Sequence, residues 1–231
     1  HCMDNRMLDT LARDPLGTPE EPVNNFANPG SLTSAIGVGL FSGQGRMKAM
    51  ELDLLGAEAV ALTHGSPTAF LAGALLTRIM GLCLRHPNAP LKMVINKALE
   101  AFREQFAHQY SQACEIINLI RHAVTYSTGR DLNPTEVMER LRCENAAQVI
   151  AGAVYACLIC SEDFDRAMIV AVNHSGRSAA VGAVVGAILG ARMGEEALPD
   201  FYIECLEPAE LLRELADDLF DGCPMEMGNK L

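Results

Sequence analysis

Apolar residues recur along most of this chain at spacings of three and four, the period of helices with one buried face. From Arg46 onward, Met47, Met50, Leu54, Ala57, Val60 and Ala61 trace one such face, and Phe70, Leu71, Ala74, Leu75, Ile79 and Leu82 trace a second after Pro67, with Ser66 as a candidate N-cap. The break at 86–90 contains two prolines. Beyond it, residues 91–125 read as one long or two consecutive helices with Val94, Ala98, Phe102, Phe106, Ile116, Ile117, Ile120 and Val124 inward. Asn133-Pro134-Thr135-Glu136 is a helix start, since asparagine caps, proline fits the first helical position and an acid suits the positive end of the dipole. Further helices are expected over 146–161, 163–172, 178–194 and 208–220.

Residues 16–34 hold too many turn formers for a regular element and read as a loop. Segments 36–41 and 168–173 compete as strands, but neither alternates polar with apolar. The expected class is therefore all-α, a single helical bundle over residues 1–231. Gly182, Gly186 and Gly190 share a small-residue stripe with Ala183, Ala187 and Ala191. Glycine weakens a helix by about 1 kcal/mol relative to alanine, so the stripe implies close backbone approach and a central, well-buried 178–194 helix.

The runs 149–160 and 181–191 fall short of the roughly 18 apolar residues that span a bilayer. A formal net charge of -11 without a Lys/Arg cluster argues against nucleic acid and anionic membrane as partners. Eight cysteines, several at apolar helical positions (Cys83, Cys114, Cys157, Cys205), read as small hydrophobes in a reducing cytoplasm. Cys157 and Cys160 have metal spacing without a second pair, so no metal site is assigned there. Met47, Met50, Met80 and Met93 read as core filler. The start His1-Cys2-Met3-Asp4 has no basic region followed by an apolar stretch, and the chain is expected to begin inside a longer, N-terminally truncated protein.

Several segments resemble, in order, the ADP-ribosylglycohydrolases, enzymes that remove ADP-ribose from modified side chains. Residues 17–25 (GTPEEPVNN) look like the loop before that family's substrate motif, and 55–67 (LGAEAVALTHGSP) resemble its Thr-His turn between helices. Residues 162–167 and 171–176 (AVNHSG) resemble the approach to its metal loop. Residues 182–194, Leu198-Pro199 and 215–219 resemble its later helix, turn and closing helix.

The resemblance implies an all-α hydrolase with a two-magnesium site, and the departures fall on that site. No segment resembles the family's N-terminal Asp-Asp-Thr motif. Where its second aspartate-bearing run is expected, the chain reads Gly176-Arg177-Ser178-Ala179-Ala180. Replacing two carboxylates by a guanidinium and a methyl group removes the oxygen ligands a hard cation needs, so no magnesium and no metal ligand is expected. In the substrate loop, Asn28-Pro29-Gly30-Ser31 precedes Ser34, which stands where the family has arginine.

Ligand-binding candidates are Asn28, Gly30, Ser31 and His64, the last matching a family histidine that lies near bound ADP-ribose; alternatively, His64 is a helix-terminal histidine satisfying a carbonyl. On the ligand-contact reading, His64→Ala weakens binding and leaves stability nearly unchanged. Arg177 either points into solvent or replaces the metals and pairs with a phosphate. His174 reads as an ordinary loop histidine, and Asp163, Asp165, Asp217 and Asp218 as structural. No catalytic residue is assigned. The expected function is a non-catalytic family member, a pseudoenzyme binding ADP-ribose or a nucleotide. The alternatives are an active hydrolase acting on ADP-ribosylated proteins and a truncated gene product without independent function.

Overall fold

A computed structural model of the chain describes residues 5–129 and 132–221; the start at 1–4 and two of the eight cysteines, Cys2 and Cys223, lie outside them. The described residues form twelve α-helices joined by short loops and 3-10 turns, with no strand among them. The helices are α1 (Asn5–Leu11), α2 (Leu32–Phe41), α3 (Ala49–Ala61), α4 (Pro67–Arg85), α5 (Leu91–Phe106), α6 (Ser111–Tyr126), α7 (Pro134–Leu141), α8 (Ala146–Ile159), α9 (Phe164–Val172), α10 (Ser178–Met193), α11 (Asp200–Glu204) and α12 (Ala209–Asp221).

Several starts follow from side chains that satisfy the open backbone amides of a first turn. Asn133 accepts from the Thr135 amide at 3.0 Å and Asp163 from the Arg166 amide at 2.9 Å. Asn145 and Gln148 cap α8 reciprocally. Ser66 occupies the capping position of α4, but its side chain makes no cap bond, and Pro67 alone sets that start.

The core is built around α4 and α8. Every residue of α4 from Ala69 to Cys83 is buried, and α4 packs against α2, α3, α5, α8 and α10. An 18-residue window of α4 has mean hydropathy 1.5, so this helix, longer than either run noted in the sequence, has the length and apolarity to cross a membrane. Here 83% of that window is buried inside the fold, the position of a core helix.

Three sequence expectations are corrected. Residues 29–31 form a 3-10 turn and 32–41 a helix, so the loop ends earlier than 34 and the 36–41 strand alternative fails, as does that at 168–173, which lies mostly in α9. In α3 the inward face runs through Leu52, Asp53, Gly56, Ala57 and Val60, while Met47, Met50 and Leu54 are exposed, as is Met93; of the four methionines read as filler only Met80 is buried. Gly56 decides this face: a Cβ there would lie 2.3 Å from Thr77 Oγ1, so α3 and α4 touch through their backbones. Finally, α10 is not among the most buried helices. It buries Val181, Gly182, Val184, Val185, Ile188 and Leu189, but while a Cβ on Gly182 would lie 3.2 Å from Val172, nothing lies within 4 Å of a Cβ built on Gly186 or Gly190, so those two glycines of the stripe meet open space.

Candidate functional site

The loop before α2 is fixed by one side chain, Asn24. Its Nδ2 donates to the Thr63 carbonyl at 3.0 Å and to Thr10 Oγ1 at 3.3 Å, and its Oδ1 accepts from the Phe26 amide at 3.0 Å and the Gly65 amide at 2.9 Å. The loop thereby lies on the α3–α4 turn closely enough that a Cβ on Gly65 would fall 2.5 Å from the Asn24 carbonyl oxygen. The Ala146 amide at the start of α8 donates to the Ala27 carbonyl at 3.0 Å. Asn28 then stands at the head of the 3-10 turn that runs into α2, and Ser31, buried, donates to the Asn28 carbonyl at 3.0 Å.

His64 is fully buried at the α3–α4 turn. Its Nε2 is hydrogen-bonded to Asn28 Oδ1, and its Nδ1 lies 2.8 Å from Thr63 Oγ1. An amide oxygen only accepts, so Nε2 carries the hydrogen and Nδ1 accepts from the threonine hydroxyl. Among the described residues, His64 meets the cavity wall through Asn28, whose side chain it helps to position.

The second half of the site is the loop 173–177 leading into α10. Asn173 Nδ2 donates to the Ile169 carbonyl at 2.6 Å, His174 Nε2 to the Ala171 carbonyl at 3.0 Å, and the Gly176 amide to His174 Nδ1 at 3.0 Å. Glu139 on α7 accepts from both the amide and the hydroxyl of Ser175, and these bonds, followed by the nearby His174, hold its carboxyl below the usual glutamate range. The Arg177 amide donates to the Cys143 carbonyl at 2.9 Å. Arg142 and Cys143, beneath the loop, both have positive φ (66° and 52°), a left-handed pair costing on the order of 1–3 kcal/mol per residue that the contacts above them must hold in place. Gly176 is needed for that contact, since a Cβ would lie 2.3 Å from the Arg142 carbonyl oxygen.

The two halves enclose a cavity of about 450 Å³ lined by Asn28, Pro29 and Gly30 on one side, by 176–180 on the other, and by Met7 of α1. Asn28 and Gly30 of the substrate-loop candidates and all five positions of the altered metal loop thus meet across one opening; His64 and Ser31 lie behind it. Two helical N-termini face this space, that of the turn entering α2 and that of the 16-residue α10, each presenting the positive end of its dipole. Arg177 adds an exposed guanidinium, and none of the described lining residues is a carboxylate. Nothing lies within 4 Å of a Cβ on Gly30, so a ligand has room against that backbone. The described lining carries one fixed positive charge beside two helical N-termini, a setting for an anion.

It does not suit a magnesium ion. A hard cation takes carboxylate and carbonyl oxygens, whereas this lining offers the Asn28 amide, the Ser178 hydroxyl, backbone groups and a fixed positive charge. Among the described residues no group of three or more His, Cys, Asp or Glu side chains is placed to hold a metal. Asp163 is occupied as the α9 cap, Asp165 accepts from the Tyr202 hydroxyl at 2.9 Å, and Asp217 and Asp218 are exposed on α12. Of the cysteines, Cys83, Cys143, Cys157 and Cys160 are buried while Cys114 and Cys205 are exposed, contrary to their apolar positions. Burial pushes the thiols of Cys83 up to about 11 and of Cys143 up to about 12, so both stay protonated at neutral pH.

Sequence reasoning missed a buried ion pair at the far end of the α3–α4 hairpin. Arg78 donates through Nε to Asp53 Oδ2 at 2.8 Å and again through Nη2, with Asp53 2% and Arg78 8% exposed. Burial lifts the Asp53 carboxyl to about 7 against the pull of Arg78 and Arg85. The signal was available: Arg78 is the one charge within 67–84.

The family model described as ADP-ribosylglycohydrolase matches residues 4–228. No curated protein matches the chain.

Proposed function

Because the chain belongs to the ADP-ribosylglycohydrolase family, we propose that it binds ADP-ribose or a related nucleotide in the cavity between α2 and α10 and does not hydrolyse it. The observation that carries this reading is the described lining: two helical N-termini and Arg177 converge on one opening, and no carboxylate is among the described lining residues. Arg177 presents a planar fork of donors suited to two phosphate oxygens, in the place where the resemblance expects metal-ligating aspartates. Helical N-termini favour the same anion through the positive ends of their dipoles. Binding a diphosphate in this way uses no divalent cation.

Cleavage is a different demand. In the family, magnesium positions and polarises the ribose, and a guanidinium does not supply a Lewis-acid contact of that kind. The residues present orient a phosphate and hold the rest of the ligand beside the Gly30 backbone, which is recognition without a group to activate water.

Isothermal titration calorimetry with ADP-ribose, with and without magnesium, tests the binding half. We expect binding that magnesium leaves unchanged and that Arg177→Ala weakens by about tenfold to a hundredfold, the worth of a hydrogen bond to a charged group, roughly 1.5–3 kcal/mol. A parallel assay follows ADP-ribose release from modified proteins. Magnesium-dependent release by the unmodified chain, abolished by a chelator, would overturn the reading in favour of an active hydrolase.

A further inference from the structure

We propose that the exposed apolar ridge of α11 and α12 docks a basic amphipathic helix of a partner protein. The ridge stands apart from the α2–α10 cavity and shares no lining residue with it. Helix α12 has thirteen residues and buries none of them, leaving Leu211, Leu212, Leu215 and Phe220 48–64% exposed. Beside it, Ile203, Leu206, Ala209, Leu212 and Ala216 line a shallow groove of about 200 Å³. Amphipathic helices draw most of their stability from covering an apolar face, and contiguous apolar surface of this kind marks an interaction site.

Charge selects the occupant. Residues 195–221 contain ten acidic side chains against one basic, Arg213, whereas the rest of the chain holds nineteen against seventeen. Arg213 is itself engaged by Glu195 and lies 3.9 Å from Glu210. Nearly all of the net negative charge therefore surrounds the ridge. A second copy would bring two such fields together, and an anionic bilayer would be repelled in the same way. An apolar face flanked by Lys and Arg satisfies both features at once, in the manner of a helix laid into a groove with anchors three, four and seven residues apart.

Fluorescence polarisation of the full chain with two labelled synthetic helices decides the matter: a Leu/Lys amphipathic peptide of about five turns, and its counterpart with Glu for every Lys. The Lys peptide is expected to bind with an affinity that falls as salt rises, and the Glu peptide not to bind. Leu212→Ser/Leu215→Ser is expected to weaken the Lys peptide more than about tenfold with circular dichroism unchanged, because both side chains are exposed. Glu214→Lys/Asp218→Lys keeps the ridge and is expected to shift preference toward the Glu peptide. Equal binding of the Lys peptide to the parent and to the serine variant would reduce the effect to charge adhesion and overturn the proposal. So would sedimentation of the parent as a dimer that Leu215→Ser dissociates, which would assign the ridge to a second copy.

Discussion

His64 binds two partners from a buried position, and each loses something different when the ring is removed. Truncation leaves Asn28 Oδ1 and the Thr63 hydroxyl without their imidazole, one at the cavity wall and one in the turn. We therefore expect His64→Ala to cost about 1–3 kcal/mol in urea unfolding, the penalty for stranding the buried Thr63 hydroxyl, and also to weaken ADP-ribose binding because the exposed Asn28 is no longer held. This replaces the expectation of nearly unchanged stability, which assumed that the ring faced a ligand. A loss of affinity with stability intact would show instead that the imidazole itself reaches the ligand. The motif around His64 was visible in the sequence, but its burial was not. Residues 28–31 and 176–180 were each legible as altered motifs, while their meeting across one cavity depends on how α2, α8 and α10 pack, which no local pattern encodes.

At the level of elements, the α3–α4 hairpin has an unequal pair of partners. A carboxyl whose folded value is raised to about 7 keeps a proton that the unfolded chain releases above 3.8. Its contribution is complete below 3.8 and is lost as pH rises through about 7. Removing Arg78 leaves a group that neutralises itself by protonation, whereas removing Asp53 leaves a guanidinium that does not deprotonate. Asp53→Asn is accordingly expected to cost up to about 3–5 kcal/mol below pH 3.8 and progressively less as pH rises through about 7, where the parent loses the same contribution. Arg78→Met is expected to be milder in acid and to lose melting temperature, relative to the parent, only as pH rises through and above about 7, because without Arg78 the carboxyl holds its proton still longer. Parallel offsets for the two variants across that range would mean the carboxyl is ionised throughout.

Glycine behaves just as differently from helix to helix. Gly186→Ala on the open face of α10 is expected to raise stability by about 0.5–1 kcal/mol. Gly56→Ala, whose new methyl would strike Thr77, is expected to lower it by about 1–3 kcal/mol, both read from thermal melts. Periodicity placed nine of the twelve described helices within a few residues and missed α1, α2 and α11. It misjudged faces in α3 and α10, because small residues mark either a close contact or an uncovered surface and the spacing is identical in the two cases.

Across the whole molecule, apolar matter and charge are separated along the chain. The interior belongs to α4 and α8, and the acid excess to α11, α12 and the turn before them. The all-α class was legible because helical periods run along most of the chain, whereas the net charge was read only as a total and its concentration in 195–221 was not. The helix that dominates the core was recognised only as one amphipathic stretch among several, since three of its glycine and threonine positions, Gly73, Thr77 and Gly81, dilute a run that burial treats as continuous. That continuity has a cost outside the native state. Once α4 is released, nineteen residues apolar enough for a bilayer are in water, and heating is expected to unfold the chain irreversibly, with a melting temperature that rises with scan rate. The durability of this protein is then a lifetime rather than a balance, set by the barrier that keeps α4 enclosed.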